Sequence, residues 1–316
     1  MDFSLALRAL VAIIPVYLII ALGFALRGKG MIKSEADSSF MRFSIDVAIP
    51  CFILFNLLGN EKLSNLPFAL STIAMGFIGM GGSLLIAWLA AKALGLKIGD
   101  GQRTFAVTTG ANNYGFYIIS LVMLLYPQNR ELIGVIITHN VGCDIVYWSI
   151  GFLLISQTGG FSIKMFLKGP IIAVAIGLAL VWTGFADHVP AFVRNTLQII
   201  GNCAIPLNLI LFGCMLNDFW GFKGFNLKII SSAVFIRMLF LPAIFLSAAY
   251  FLPLDPLLKM LLVLQASVPC GVTSAVLAKH FAGHPMMSVQ ITIVTSLIAI
   301  VTLPLYLAFG LKLIGF

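Results

Sequence analysis

Charged residues are scarce in this chain. Only 9% of its 316 residues are Asp, Glu, Lys or Arg, whereas a soluble globular domain carries about 25%. Hydrophobic residues make up 60% of the sequence, and the mean hydropathy is +1.07. A soluble fold of this size cannot cover so much apolar surface with so few polar groups. The composition therefore excludes a soluble enzyme or a nucleic-acid-binding protein and predicts an integral membrane protein.

The sequence also lacks the motifs of common enzyme classes. It has no Gly-rich loop followed by Lys and Ser or Thr, no HExxH, no GxSxG and no Cys/His cluster with metal-ligand spacing. We therefore expect neither an enzyme nor a resident cofactor or metal. The five cysteines form no CxxC pair and fall in apolar runs, which predicts five small buried hydrophobes. They are Cys51, Cys143, Cys203, Cys214 and Cys270.

Long apolar runs dominate the sequence. A membrane-spanning helix needs about 20 mainly apolar residues, and a window of that length finds ten candidates. The runs are too long for barrel strands and show no alternation. We therefore predict an all-α polytopic membrane protein with ten transmembrane helices. Spans 1 to 10 cover residues 6–26, 41–59, 67–91, 104–126, 132–155, 166–184, 190–216, 228–252, 256–278 and 287–311.

The basic residues predict how these spans are oriented. Twelve Lys and Arg residues lie in or beside the loops after odd-numbered spans, six lie on the opposite side, and Arg237 lies within span 8. Since Lys and Arg concentrate in cytoplasmic loops, we predict that the loops after odd-numbered spans are cytoplasmic. Both termini then face outside.

Two features of the sequence recur at one offset. The tripeptide AIP at 48–50 in span 2 returns at 204–206 in span 7, which is 156 residues later. The same offset takes Gly115 of span 4 to Gly271 of span 9. These matches predict two repeats of five spans each, and an odd number of crossings inverts the second repeat. The repeats cover residues 1–157 and 160–316.

Spans 4 and 9 are interrupted at corresponding places. Span 4 carries GANN at 110–113, and Gly and Asn both weaken a helix inside a membrane. Span 9 carries Pro269, which removes a backbone donor. In many transporters such matched interruptions mark the binding site, because helix N-termini attract anions and helix C-termini attract cations. The alternative is an ordinary proline kink with glycine packing.

We predict that the crossing of spans 4 and 9, together with a face of span 5, holds a carboxylate. The candidate binding residues are Asn112, Asn113, Gly115, Asn140, Pro269, Cys270 and Gly271. Ionisable residues inside spans are costly and are candidates for coupling. They are Asp46, His139, Asp144 and Arg237.

Asp144 is the leading candidate for a protonatable coupling site, because it shares one helix face with Asn140. Arg237 could grip a substrate carboxylate with a two-point fork. We favour instead an ion pair of Arg237 with Asp144 or Asp46. For Asp46 and His139, a proton-coupling role and a hydrogen-bonded structural role both stay open.

In motifs and their order the chain resembles the auxin efflux carrier family. The resemblance covers essentially the whole chain, and that family includes plant auxin exporters and bacterial carriers of malonate, malate and related acids. This chain departs from the family pattern at Ile118 and Ser120, where the family usually has a glycine and then a proline. We therefore expect span 4 to be less sharply broken. The matching motifs are AIPCFILF at 48–55, NYGF at 113–116, GP at 169–170 with Gly177, VPCG at 268–271 followed by LA at 277–278, and TSL at 295–297 with TLP at 302–304.

The resemblance implies a fold similar to bile-acid and sodium–proton transporters. Spans 1, 2, 6 and 7 would form a scaffold, and spans 3–5 and 8–10 would form an elevator-like transport domain. The implied function is secondary active transport of small organic anions across a plasma membrane, here a bacterial inner membrane, coupled to H⁺ or Na⁺. The implied partners are the anion, the bilayer and a second copy in a homodimer.

Two other functions stay open from the sequence. One is a membrane sensor that binds a ligand on a transporter-like fold without moving it. The other is a cation-coupled symporter or antiporter. An antiporter would need a pair of acidic residues beside the crossing, and spans 4 and 9 have no such pair.

Overall fold

The computed structural model describes residues 3–126, 129–156, 169–218, 226–271, 273–281 and 283–315. In these ranges the chain is almost entirely helical and forms no strand, apart from isolated backbone bridges. Besides the single helical turns Glu61–Ser64 and Phe185–His188, the helices are α1 (Phe3–Gly28), α2 (Ser34–Leu57), α3 (Leu66–Ala93), α4 (Gln102–Gly110), α5 (114–125), α6 (Arg130–Ser156), α7 (Gly169–Trp182), α8 (Ala191–Asp218), α9 (Leu227–Phe251), α10 (Pro256–Ser267), α11 (Thr273–His280) and α12 (Pro285–Leu313).

Six helices in the described part of the chain are long and apolar enough to cross a membrane. They are α2, α3, α6, α8, α9 and α12. The helices α7 and α10 are apolar but shorter, as is the stretch Ile13–Gly28 of α1. A nearly all-helical fold with several candidate membrane spans is thus confirmed for the described residues, whereas the count of ten spans in two inverted repeats stays a prediction.

Apolar side chains cover the outside of the molecule as well as its core. Ile78 of α3 and Ile199 of α8 are each 70% exposed, which is costly in water and acceptable against lipid. For the same reason an apolar run does not guarantee burial. Cys203 is exposed and Cys51 is half-buried, so the expectation of five buried cysteines is wrong for these two.

Glycines bring two pairs of helices into backbone contact. The helices α1 and α8 meet at Gly23 and Gly213, and α3 and α6 meet at Gly76 and Gly142. A Cβ atom on any of these four residues would lie 1.9–2.1 Å from a backbone oxygen of the facing helix. Close approach through small residues is how helices associate in a membrane, where apolar burial alone favours association little.

Candidate functional site

Predicted spans 4 and 9 are both broken in the middle. The backbone turns extended at Ala111, with φ −73° and ψ 131°, and at Val268, with φ −95° and ψ 144°. Span 4 is thereby divided into α4 and α5, and span 9 into α10 and α11. Ile118 and Ser120 do not keep span 4 continuous, because they lie in α5, after the break.

The two breaks cross and are joined by backbone hydrogen bonds. The N–H of Asn113 donates to the carbonyl oxygen of Pro269 at 3.0 Å, and the N–H of Gly271 donates to that of Ala111 at 3.0 Å. The pair forms a short antiparallel bridge centred on Asn112 and Cys270. The bridge satisfies backbone groups that the interruptions would otherwise leave without partners in a membrane interior.

A cavity of about 220 Å³ lies beside this crossing. On the same measure, a cavity needs roughly 10–15 Å³ to hold one water molecule, so a small organic molecule fits. The crossing contributes Asn112, Asn113, Gly271 and Thr273 to its polar lining, and α6 contributes Asn140 and Asp144. Its apolar lining comes mostly from α2, α7 and α8, as Ile45, Ile49, Phe52, Ile53, Pro170, Ile171, Val174, Ala204 and Ile205.

Two amide groups in the polar lining lack hydrogen-bond partners. The Nδ2 atoms of Asn112 and Asn113 are both buried and unpaired. A buried donor without a partner costs about 1–3 kcal/mol, so a ligand that brings acceptor oxygens would relieve this cost. The N-terminal ends of α5 and α11, which begin beside Asn113 and at Thr273, border the same cavity and carry partial positive charge.

The face of α6 adds a carboxyl group to this cavity. Asn140 donates from Nδ2 to Oδ2 of Asp144 at 3.2 Å, one helical turn away. The amide thus orients the carboxyl group beside the unpaired amides of the crossing. The arrangement can bind an acceptor-rich ligand next to a group that takes up or releases a proton.

Two predicted binding residues, Pro269 and Cys270, support the crossing and are not among the described residues that line the cavity. Pro269 and Cys270 lie in the bridge, and the N–H of Cys270 donates to Oγ1 of Thr295 at 3.3 Å. Gly115 lies in the first turn of α5. Of the predicted binding residues, Asn112, Asn113, Asn140 and Gly271 line the cavity, and their contact with a ligand stays a prediction.

Two of the predicted coupling residues also lie away from the cavity. His139 is fully buried, with its ring centre 4.6 Å from that of Tyr114. Asp46 is exposed on α2, and its carboxylate lies 3.7 Å from the guanidinium of Arg42. This leaves Asp144 as the predicted acid that faces the cavity.

Arg237 lies behind the crossing. It is 1% exposed, and its Nε donates to the carbonyl oxygen of Val268 at 3.0 Å while its Nη1 donates to that of Gly110 at 3.5 Å. Within the described ranges it makes no salt bridge with Asp46 or Asp144. The ion pair that we favoured from the sequence is therefore not formed, because the breaks offer backbone carbonyls instead.

Sequence reasoning missed two polar residues of the lining. Thr273 is the first residue of α11, a position that the break itself marks. Asn208 follows the second AIP motif, and its Nδ2 donates to Oγ of Ser44 at 2.6 Å and to the carbonyl oxygen of Ala204 at 2.7 Å. Because its donors are already used within the protein, Asn208 differs from the unpaired amides of the crossing.

The chain is similar along most of its length to a family of membrane transport proteins. Residues 8–165 and 158–307 match the model of a family described as membrane transport protein. An uncharacterized transporter of Methanothermobacter thermautotrophicus is 25% identical over 305 residues, which covers 93% of this chain and 96% of that protein. The similarity therefore extends well beyond the crossing.

Proposed function

We propose that this protein is a secondary transporter of small organic anions. The chain belongs to the family of membrane transport proteins, which is the auxin efflux carrier family that its motifs predict. Membership of this family is the evidence that the protein is a membrane transporter. The anion is supported by one observation, the pair of buried, unpaired amide donors of Asn112 and Asn113 in the cavity.

Electrostatics at the crossing favour a carboxylate. Each helix N-terminus carries roughly +0.5 of an elementary charge, so α5 and α11 together offset about one negative charge. The two amides then supply directed hydrogen bonds to its oxygens. The isoleucines and Phe52 of the remaining lining suit the hydrocarbon part of the same molecule.

Asp144 couples substrate to protons in this proposal. A substrate carboxylate beside an ionised Asp144 would be repelled, whereas a protonated Asp144 removes the repulsion. Anion binding and proton binding therefore favour each other, and by linkage the effect is reciprocal. A proton gradient would drive accumulation of the anion by symport.

The proposed architecture has ten membrane spans in two inverted repeats. The helices α4 and α5 together form one interrupted span, and α10 and α11 form another. The cavity lies between two groups of helices. One group is α2, α7 and α8; the other is α6 and the crossing. This division matches a fixed scaffold and a moving transport domain, and it supports an elevator-type mechanism. We further propose cytoplasmic loops after odd-numbered spans and both termini outside.

Uptake by the purified protein in proteoliposomes tests the proposal. Labelled malonate, malate, succinate and an indole acid are offered under a pH gradient, a sodium gradient and a membrane potential in turn. We expect one of these acids to accumulate under the pH gradient. An absence of flux for every acid, together with ligand-induced thermal stabilisation, would support the membrane sensor instead.

The Asn113→Ala variant tests the site in the same assay. We expect uptake to fall at least about tenfold, because one charge-assisted hydrogen bond is lost, while the protein still folds. Asn195→Ala, at an exposed position of α8, is the matched control and should transport normally. Normal uptake by Asn113→Ala would refute the assignment of the site.

A further inference from the structure

The crossing has a second side, which the substrate site does not use. The two breaks leave the carbonyl ends of α4 and α10 close enough together to contact one side chain. A helix C-terminus carries roughly −0.5 of an elementary charge. In transporters built from broken helices, such ends commonly coordinate a coupling cation.

In this protein a side chain already occupies that place. Nε of Arg237 lies 3.0 Å from the carbonyl oxygen of Val268, just after α10, and Nη1 lies 3.5 Å from that of Gly110, the last residue of α4. One guanidinium therefore bridges the C-terminal ends of both interrupted helices. Its helix, α9, widens to a π-helical segment at Ile236–Phe240, which contains Arg237.

The charges at this point balance. The guanidinium carries a full positive charge at any accessible pH, and the two helix ends together carry about one negative charge. Nη2 of Arg237 is buried without a partner, so the two carbonyls are its hydrogen-bond acceptors. At the matching position of the first half, 156 residues earlier, the chain has Gly81, so one cation serves both breaks.

We propose that Arg237 is a built-in cation for the carbonyl side of the crossing, and that transport therefore requires no metal cation bound there. The claim that transport needs no metal cation rests on the proposed function. The claim that Arg237 stabilises the crossing is independent of that function, because it concerns only the contacts of Arg237 with the backbone. Arg237 is thus a positioning residue, which holds the breaks that carry Asn112 and Asn113.

Transport in matched sodium and choline buffers tests the consequence for coupling. We expect wild-type uptake of the transported acid to be equal in the two buffers. Arg237→Gln, which keeps a donor but loses the charge, should lose at least about tenfold of its uptake, whereas Arg237→Lys should retain most of it. Wild-type uptake that requires sodium, or equal uptake by the Gln and Lys variants, would overturn the proposal.

Thermal unfolding in detergent, without any acid, tests the role of Arg237 separately. We expect the melting temperature of Arg237→Gln to rise as sodium replaces choline, because a free cation can occupy the vacated carbonyl ends. The melting temperatures of the wild type and Arg237→Lys should not respond. No response by Arg237→Gln, or a failure of Arg237→Lys to fold, would count against a built-in cation. Since this readout needs no transport, it separates failure of this inference from failure of the proposed function.

Discussion

Asp46 and Asp144 both lie in long apolar helices, yet their surroundings differ. Asp46 is exposed on α2 and pairs with Arg42 one turn earlier. Asp144 lines the cavity, and its carboxyl group accepts a hydrogen bond from Asn140. A proton bound at Asp46 would have little effect on a ligand in the cavity, whereas one bound at Asp144 changes the charge that the ligand meets.

Asp144→Asn should separate substrate exchange from proton-driven accumulation. An amide cannot take up the coupling proton, so we expect accumulation under a pH gradient to fall to the level reached without a gradient. Exchange of labelled for unlabelled acid should continue at a reduced rate. Asp46→Asn is the control and should keep both activities. Accumulation by Asp144→Asn under the pH gradient would place the coupling group elsewhere.

Much of the neighbourhood of the crossing could be predicted residue by residue, and Arg237 could not. The GANN segment and the face shared by Asn140 and Asp144 are readable from local spacing, and the structure brings them to one cavity. The acceptors of Arg237 are backbone carbonyls 31 and 127 residues away in sequence. Backbone acceptors have no sequence signature, so the sequence predicted carboxylates as the partners of Arg237.

At the scale of helices, apolar runs predicted the positions of the elements well. Span 3, placed at 67–91, is α3 (Leu66–Ala93), and span 8, placed at 228–252, is α9 (Leu227–Phe251). Asparagine N-caps mark several starts, since the side chains of Asn65, Asn129 and Asn226 each accept from an N–H three residues later. Which faces pack together was not predictable, because a helix that is apolar all round shows no stripe.

Gly76→Ala should destabilise the protein by wedging α3 away from α6. The new Cβ would meet the carbonyl oxygen of His139 at 2.0 Å, and overpacking of this kind costs about 1–3 kcal/mol. Gly81→Ala on the same helix meets nothing within 4 Å and should stabilise it by roughly 0.5–1 kcal/mol. Thermal unfolding in one detergent compares the two variants. Equal melting temperatures would mean that α3 and α6 are not in backbone contact.

At the scale of the whole molecule, the crossing joins the two halves of the chain. The bridge pairs Asn112 of the first half with Cys270 of the second. Its hydrogen bonds are made by the flanking residues, so this is the closely spaced kind of antiparallel pair, with Cα atoms about 4.5 Å apart. That spacing lies within the range that a disulfide accepts. The repeat in the sequence indicated matching breaks but not that they touch.

Asn112→Cys should therefore link the halves covalently through the native Cys270. For this test, a protease site is engineered into the full-length protein between the two halves, after residue 157. After mild oxidation and cleavage we expect one band on a non-reducing gel and two after reduction. Asn113→Cys, one position away and not opposite Cys270, should give two bands in both gels. Two bands from oxidised Asn112→Cys would show that the breaks do not meet.

The cavity takes its polar and its apolar lining mostly from different helices, and this separation affects how such proteins diverge. Substitutions at Ile49, Phe52, Val174 or Ile205 would reshape the space around the body of a cargo molecule. They would leave the amides and the backbone bridge as they are. Descendants of one ancestor can therefore inherit the same translocation apparatus while acquiring different cargoes. If this cavity is the substrate site that we propose, overall sequence likeness within such a lineage would follow descent, whereas the choice of cargo would follow a few side chains on α2, α7 and α8.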